Sequence, residues 1–165
     1  MSQRSALTEA EASTWMPFAA VLELLPAGLN SRLLREVGQP LLNLYVLGHL
    51  RHEPGKQAGL SELAACVNSA LPRMSRIVAR LADDGLVSRS SCSSDGRAIT
   101  VAITPAGEAL LGEAMPLHDR LVRELLIDAL SPIQLDQLRD IATTLAARLH
   151  PDIASPMDRQ RSRAT

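Results

Sequence analysis

Apolar residues recur at helical spacing through most of the chain, and the interruptions mark where helices must end. The first periodic stretch runs from Trp15 to Val37. Pro17 fits its first turn, whereas Pro26 in "LPAG" removes a backbone donor and predicts a kink or break, with Gly38 and Pro40 ending the helix. "LLNLYVLGHLRH" predicts a second, short helix closed by the loop "EPGKQAG". "LSELAACV" follows, too short to be stable alone, and a break falls at Asn68-Ser69.

The next stretch, "ALPRMSRIVARLADDGLVSR" over residues 70–89, carries two stripes. At 100° per residue, Met74, Ile77, Val78 and Leu81 share one face, while Arg73, Arg76 and Arg80 share another about a third of a turn away. Ser69 suits the N-cap because its hydroxyl can accept a backbone N–H, which puts Pro72 at the third helical position, where no intrahelical donor is needed. Gly85 ends this helix. "LVSR" and "AITVAIT" then read as two short strands around the polar turn "SSCSSDG".

"TPAGEALL" opens a further helix, with Thr104 as its cap and Pro105 at its first position. Leu110, Leu111, Ala114, Leu117, Leu121 and Leu125 keep helical spacing, and Pro116 predicts a kink. The last helix has the clearest start: Ser131 and Gln134 form a capping box, Pro132 takes the first position and Leu130 can staple onto Leu135. Leu135, Leu138, Ala142, Leu145 and Leu149 mark one of its faces. The polar tail "SPMDRQRSRAT" is expected to be disordered. Helix, short helix, helix and hairpin is the order of a winged helix-turn-helix, so the expected class is mainly α with a small β-hairpin wing.

Composition adjusts this picture in three ways. A chain of 165 residues is one domain with extensions, and with one Trp, one Tyr and one Phe its core must be aliphatic, as in packed helices. Cys66 and Cys92 match no metal-ligand spacing, and both are expected as free thiols. The N-terminus lacks a basic region followed by an apolar one, and charges or prolines interrupt the later apolar runs. No membrane association is therefore expected, and the cytoplasm is the expected location.

The formal net charge of −1 hides an uneven distribution. Residues 68–100 hold five arginines against three acids, a balance of +2, whereas residues 101–150 hold four arginines against seven acids, or −3. A basic centre beside acidic helices points to a polyanion at one face. A helix fits the major groove of B-DNA if one face packs on its domain and the other offers side chains near its N-terminus. Ser69, Arg73 and Arg76 meet that layout, and Arg97 in the hairpin loop is long enough to enter an adjacent minor groove.

"SELA", "SRIVARLADDGLVSR", "SSDGRAITVAIT" and "ITPAGEALL" resemble, in order and spacing, the multiple-antibiotic-resistance regulator (MarR) family of bacterial transcription factors. The resemblance runs by motif from about residue 40 to 112 and by helix layout into both flanks. It implies a homodimer with interleaved N- and C-terminal helices, a near-palindromic duplex operator, and repression relieved by a small molecule or an oxidant. It divides the chain into a flexible N-terminus (1–13), a dimerisation helix region (14–39), a winged helix-turn-helix domain (40–104), C-terminal dimerisation helices (105–150) and a tail (151–165). It places Ser69, Arg73, Ser75, Arg76 and Arg80 on the recognition helix and Arg89, Asp95 and Arg97 on the wing, Asp95 bracing the loop. Tyr45 and His49 would help to line an effector pocket.

Each of these residues also has a plainer reading. Arg80 can pair with Asp83 or Asp84, Ser75 can be an exposed helix serine, and Tyr45 can be core. His49 and His52 lie three residues apart, but a metal site would need His118 or nearby acids to converge with them, so no metal is expected. Cys66 reads as a small buried hydrophobe. Cys92, among serines and near Arg89 and Arg97, is a candidate redox site. There is no phosphate-binding glycine loop, nucleophile elbow or paired carboxylates, so neither enzymatic activity nor a cofactor is expected. The competing functional class is a winged-helix module that docks a protein partner.

Overall fold

In the computed structural model, residues 6–91 and 99–149 are described. The chain divides into two compact units, Met1–Leu121 and Val122–Thr165. The first holds helices α1 (Glu9–Val37), α2 (Leu41–His52), α3 (Leu60–Cys66) and α4 (Leu71–Asp83), strands β1 (Gln57–Gly59), β2 (Val87–Ser91) and β3 (Ile99–Ile103), and most of α5 (Pro105–Leu125). The second holds the end of α5 and α6 (Pro132–Leu149).

Helix α1 starts well before Trp15, taking in part of the segment expected to be flexible. The signal is a capping box: Thr8 Oγ1 accepts the Glu11 N–H, and the Glu11 carboxylate accepts the Thr8 N–H at 2.8 Å. Of the kink or break expected at Pro26, the break does not occur: α1 is assigned continuously over 29 residues to Gly38, whose φ of 73° closes it. Both prolines sit at exposed positions, and so does Leu22, whose carbonyl loses its donor to Pro26. This continuity also corrects the expectation about apolar runs, since α1 is long and apolar enough to cross a membrane by length and composition. A helix whose apolar face pairs with another helix passes the same test. Pro116 likewise lies inside a continuous α5.

The sheet is three-stranded and antiparallel in the order β1-β3-β2, where a two-stranded hairpin was expected. Ala58 faces Val101, and Arg89 faces Val101 from the other side. Strand β1 was read as loop because its three residues, "QAG", are too few to show alternation. A short helical turn at Pro54–Lys56 leads into it, with Gly55 at φ 67°.

The core of the first unit is aliphatic, as the composition requires. Leu33, Leu47, Leu50, Leu63, Met74, Leu81, Val101, Leu111 and Leu121 are fully buried. In α4, Met74, Val78 and Leu81 are buried and Ile77 is half-buried; in α5, Leu111, Ala114, Leu117 and Leu121 are buried. The expected α6 start is present: Ser131 Oγ accepts the Gln134 N–H, and Gln134 Oε1 accepts the Ser131 N–H at 2.9 Å. No residue of α6 is buried within the chain.

Candidate nucleic-acid interface

Two helices and a turn position the arginine stripe. Helix α3 ends at Cys66, and Asn68 takes a left-handed φ of 49° while the Ser69 N–H donates to the Ala64 carbonyl at 2.8 Å. The chain thereby reverses into α4, the helix-turn-helix arrangement. The N-cap of α4 is Ala70, without a side-chain bond, and Pro72 occupies the second helical position rather than the third. Ser69 is therefore not the cap. Its hydroxyl is shielded from solvent and has no hydrogen-bond partner among the described residues, which leaves it unavailable to a phosphate in this conformation.

With Met74, Val78 and Leu81 holding α4 against the core, Arg73, Arg76 and Arg80 are exposed and Ser75 is half-buried. Arg76 Nε donates to the Pro72 carbonyl at 3.4 Å, which draws its side chain toward the N-terminal end of the helix. Among the described residues no ion pair occupies Arg73, Arg76 or Arg80, and the alternative in which Arg80 pairs with Asp83 or Asp84 is not formed. Three uncompensated guanidinium groups on one helix face form a local positive surface on a chain of net charge −1.

Arg89 is exposed on β2. Asp95, Arg97 and Cys92 lie outside the described residues. The base of the wing is held by Thr104, whose Oγ1 donates to the Gly85 carbonyl at 2.7 Å and accepts the Gly107 N–H at 3.1 Å. Lys56 Nζ pairs with Glu108 Oε1 at 2.6 Å, tying the start of β1 to α5. Sequence reading identified Thr104 as a cap but missed its bond to Gly85 and the Lys56–Glu108 pair, since both join residues far apart in the chain.

Tyr45 is 48% exposed rather than core, in a T-shaped contact with the His118 ring at a centroid distance of 6.3 Å. Partial desolvation raises its phenol pKa above the ordinary value. His118 Nδ1 lies 3.0 Å from Asp119 Oδ1. His49 is turned instead toward Cys66, Glu53 and Glu62. Cys66 is half-buried and its sulfur lies 3.3 Å from His49 Nδ1, so it is more than the buried hydrophobe expected. His52 is exposed and is not among the groups that converge on His49 Nε2.

The MarR family model matches residues 38–98, from the end of α1 to the wing. The fold is similar to that of Sco3205, a MarR family transcriptional regulator from Streptomyces coelicolor solved in complex with DNA. The two are 30% identical, with 92% of this chain and 95% of that one covered and a TM-score of 0.85. AbsC, a MarR family transcriptional regulator from the same organism, is 27% identical over 89% of this chain and 99% of its own, with a TM-score of 0.80. MepR of S. aureus, solved as a DNA complex, shares the fold at 16% identity and a TM-score of 0.70, with 87% and 99% of the two chains covered. Sco3205 and AbsC are both transcriptional regulators. With its helix-turn-helix, three-stranded wing and exposed arginine helix, the chain belongs to the MarR family of winged-helix transcriptional regulators.

Proposed function

We propose that this regulator binds a near-palindromic duplex operator in the cytoplasm as a homodimer and represses transcription until a small molecule or an oxidant releases it. The observation that carries the reading is the arginine face of α4, about a third of a turn from a face locked into the core. Arg73 and Arg76, nearest the N-terminus of α4, are the leading base or phosphate contacts. Arg80, Ser75 and Arg89 are supporting ones, and Arg97 and Asp95 belong to the wing. Ser69 would contribute only if its hydroxyl turned outward.

Dimerisation is supported by apolar surface that a lone chain leaves in water. Trp15, Met16, Leu22 and Leu24 of α1 are exposed, and so are Ile133, Ile141 and Leu149 of α6. Apolar surface of this extent marks an interaction face. Two lobes would then set two α4 helices about one DNA turn apart, roughly 34–36 Å, so that binding of one half-site assists the other. Tyr45, with His118 beside it, offers a half-exposed aromatic and polar lining for an effector. His49 neighbours this helix face, and Cys92 is the candidate for oxidant sensing.

The test is binding to the protein's own upstream intergenic DNA against a scrambled duplex, titrated over salt. Preference for the upstream DNA, with log affinity falling linearly in log salt, is the expected result. A folded dimer with neither preference nor salt slope would overturn the reading in favour of a protein-docking module.

A further inference from the structure

One group of ligand-type side chains converges away from the arginine face. His49 of α2, Glu53 at the C-cap of α2 and Glu62 of α3 bring Nε2 and one carboxylate oxygen each to within 4.8 Å of one another. Nε2 lies 3.8 Å from Glu53 Oε1 and 3.8 Å from Glu62 Oε1, beyond hydrogen-bond distance. The His49 side chain is only 10% exposed, and its Nε2 is shielded from solvent with no hydrogen-bond partner among the described residues. Across the ring, Nδ1 lies 3.3 Å from Cys66 Sγ.

This arrangement is unfavourable as it stands. A shielded imidazole nitrogen without a partner forfeits its hydration, and two carboxylates drawn to the same point repel each other. A cation between the three atoms relieves both. One imidazole nitrogen with two carboxylate oxygens suits a divalent first-row ion, intermediate between hard and soft. Bonds of about 2.0–2.2 Å in a tetrahedral site separate ligand atoms by roughly 3.3–3.5 Å, so the two His49–carboxylate separations of 3.8 Å need to close by only a few tenths of an ångström. Glu62, whose side chain is 50% exposed, has the freedom to make that move. Donation of the Nδ1 proton to the Cys66 sulfur leaves the Nε2 lone pair facing the carboxylates, the tautomer a metal requires.

We propose that His49, Glu53 and Glu62 form a binding site for a divalent first-row transition metal ion such as Zn²⁺, with water completing its coordination. The site joins the end of α2 to α3, the helix that leads through the Asn68 turn into α4. A bound ion fastens the scaffold on which the arginine helix stands.

The experiment is calorimetric titration of the EDTA-stripped, desalted full chain with ZnCl₂ in a non-chelating buffer. The expected result is one tight site per chain, with Glu62→Gln and Glu53→Gln each weakening Zn²⁺ binding by about tenfold or more while circular dichroism stays unchanged. His49→Gln is expected to abolish the site, and if it fails to fold, the two glutamate variants decide. Equal affinity in the wild type and both glutamate variants would overturn the proposal. So would the absence of saturable binding. The titration contains no DNA, so its outcome is independent of the operator reading.

Discussion

Thr104 Oγ1 donates to the Gly85 carbonyl at 2.7 Å, joining the first turn of α5 to the turn that ends α4. The same oxygen accepts the Gly107 N–H, and the Thr104 N–H donates to the Leu86 carbonyl at 3.1 Å. Gly85, at φ 73°, aims its carbonyl at this hydroxyl. One threonine therefore caps α5 and closes the base of the wing. Thr104→Val keeps the shape and removes the hydroxyl; the expected cost is about 1–2 kcal/mol, read as a lower urea midpoint with unchanged slope.

Gly107 packs against the same turn. A Cβ there would stand 2.2 Å from the Leu86 carbonyl oxygen and 2.9 Å from Ile103 Cγ1. Gly107→Ala is expected to destabilise the protein by about 1–3 kcal/mol through overpacking. Gly112 lies in the same helix with nothing within 4 Å of such a Cβ, so Gly112→Ala is expected to stabilise by about 0.5–1 kcal/mol. Opposite signs from the same substitution in one helix, measured by thermal melts, would establish that space rather than propensity selects glycine at 107.

The arginines of α4 separate by position. Arg73→Ala and Arg76→Ala are each expected to weaken operator binding by about 1–3 kcal/mol, with melting temperature unchanged because neither side chain is buried. Arg80→Ala, at the far end of the helix, is expected to lose less and to flatten the salt slope by about one phosphate. Unchanged affinity in both the Arg73 and Arg76 variants would remove α4 as the DNA-contacting helix.

The α1 cap makes the N-terminal turn pH-dependent. Two hydrogen bonds from Thr8, its backbone N–H and its hydroxyl, hold the Glu11 carboxyl below its ordinary pKa of 4.5. A depressed folded pKa means that the stabilisation is complete above the unfolded value and is lost as pH falls through the folded one. Amide protection factors in the first turn of α1, referenced to intrinsic exchange at each pH, are expected to fall as the pH drops below the ordinary value of 4.5. Glu11→Gln is expected to remove that pH dependence.

If α6 pairs with a second chain, charge on its exposed apolar positions must separate the subunits. Ile141→Glu with Leu145→Glu is expected to convert the sedimenting species to monomer, while the helix-turn-helix lobe keeps its melting transition. A dimer that survives both changes would place the interface elsewhere.

How much of this was legible in the sequence depended on the range of the interaction. The bounds of α2, the cap of α6 and the two-striped character of α4 follow from periodicity and from residues three or four apart, because a helix brings those residues together whatever surrounds it. Pro26 does not end the helix because the Leu22 carbonyl that loses its donor lies at an exposed position, where water can satisfy it. Ser69 misled because the turn from α3 spends its residues on reversing the chain, and the cap falls one residue later. Strand β1 has too few residues to show alternation, and only pairing with β3 makes it a strand. His49 and Glu53 are one helical turn apart and could be read together. Glu62 reaches them only because α3 folds back against the end of α2, and no local rule brings side chains of separate helices to one point.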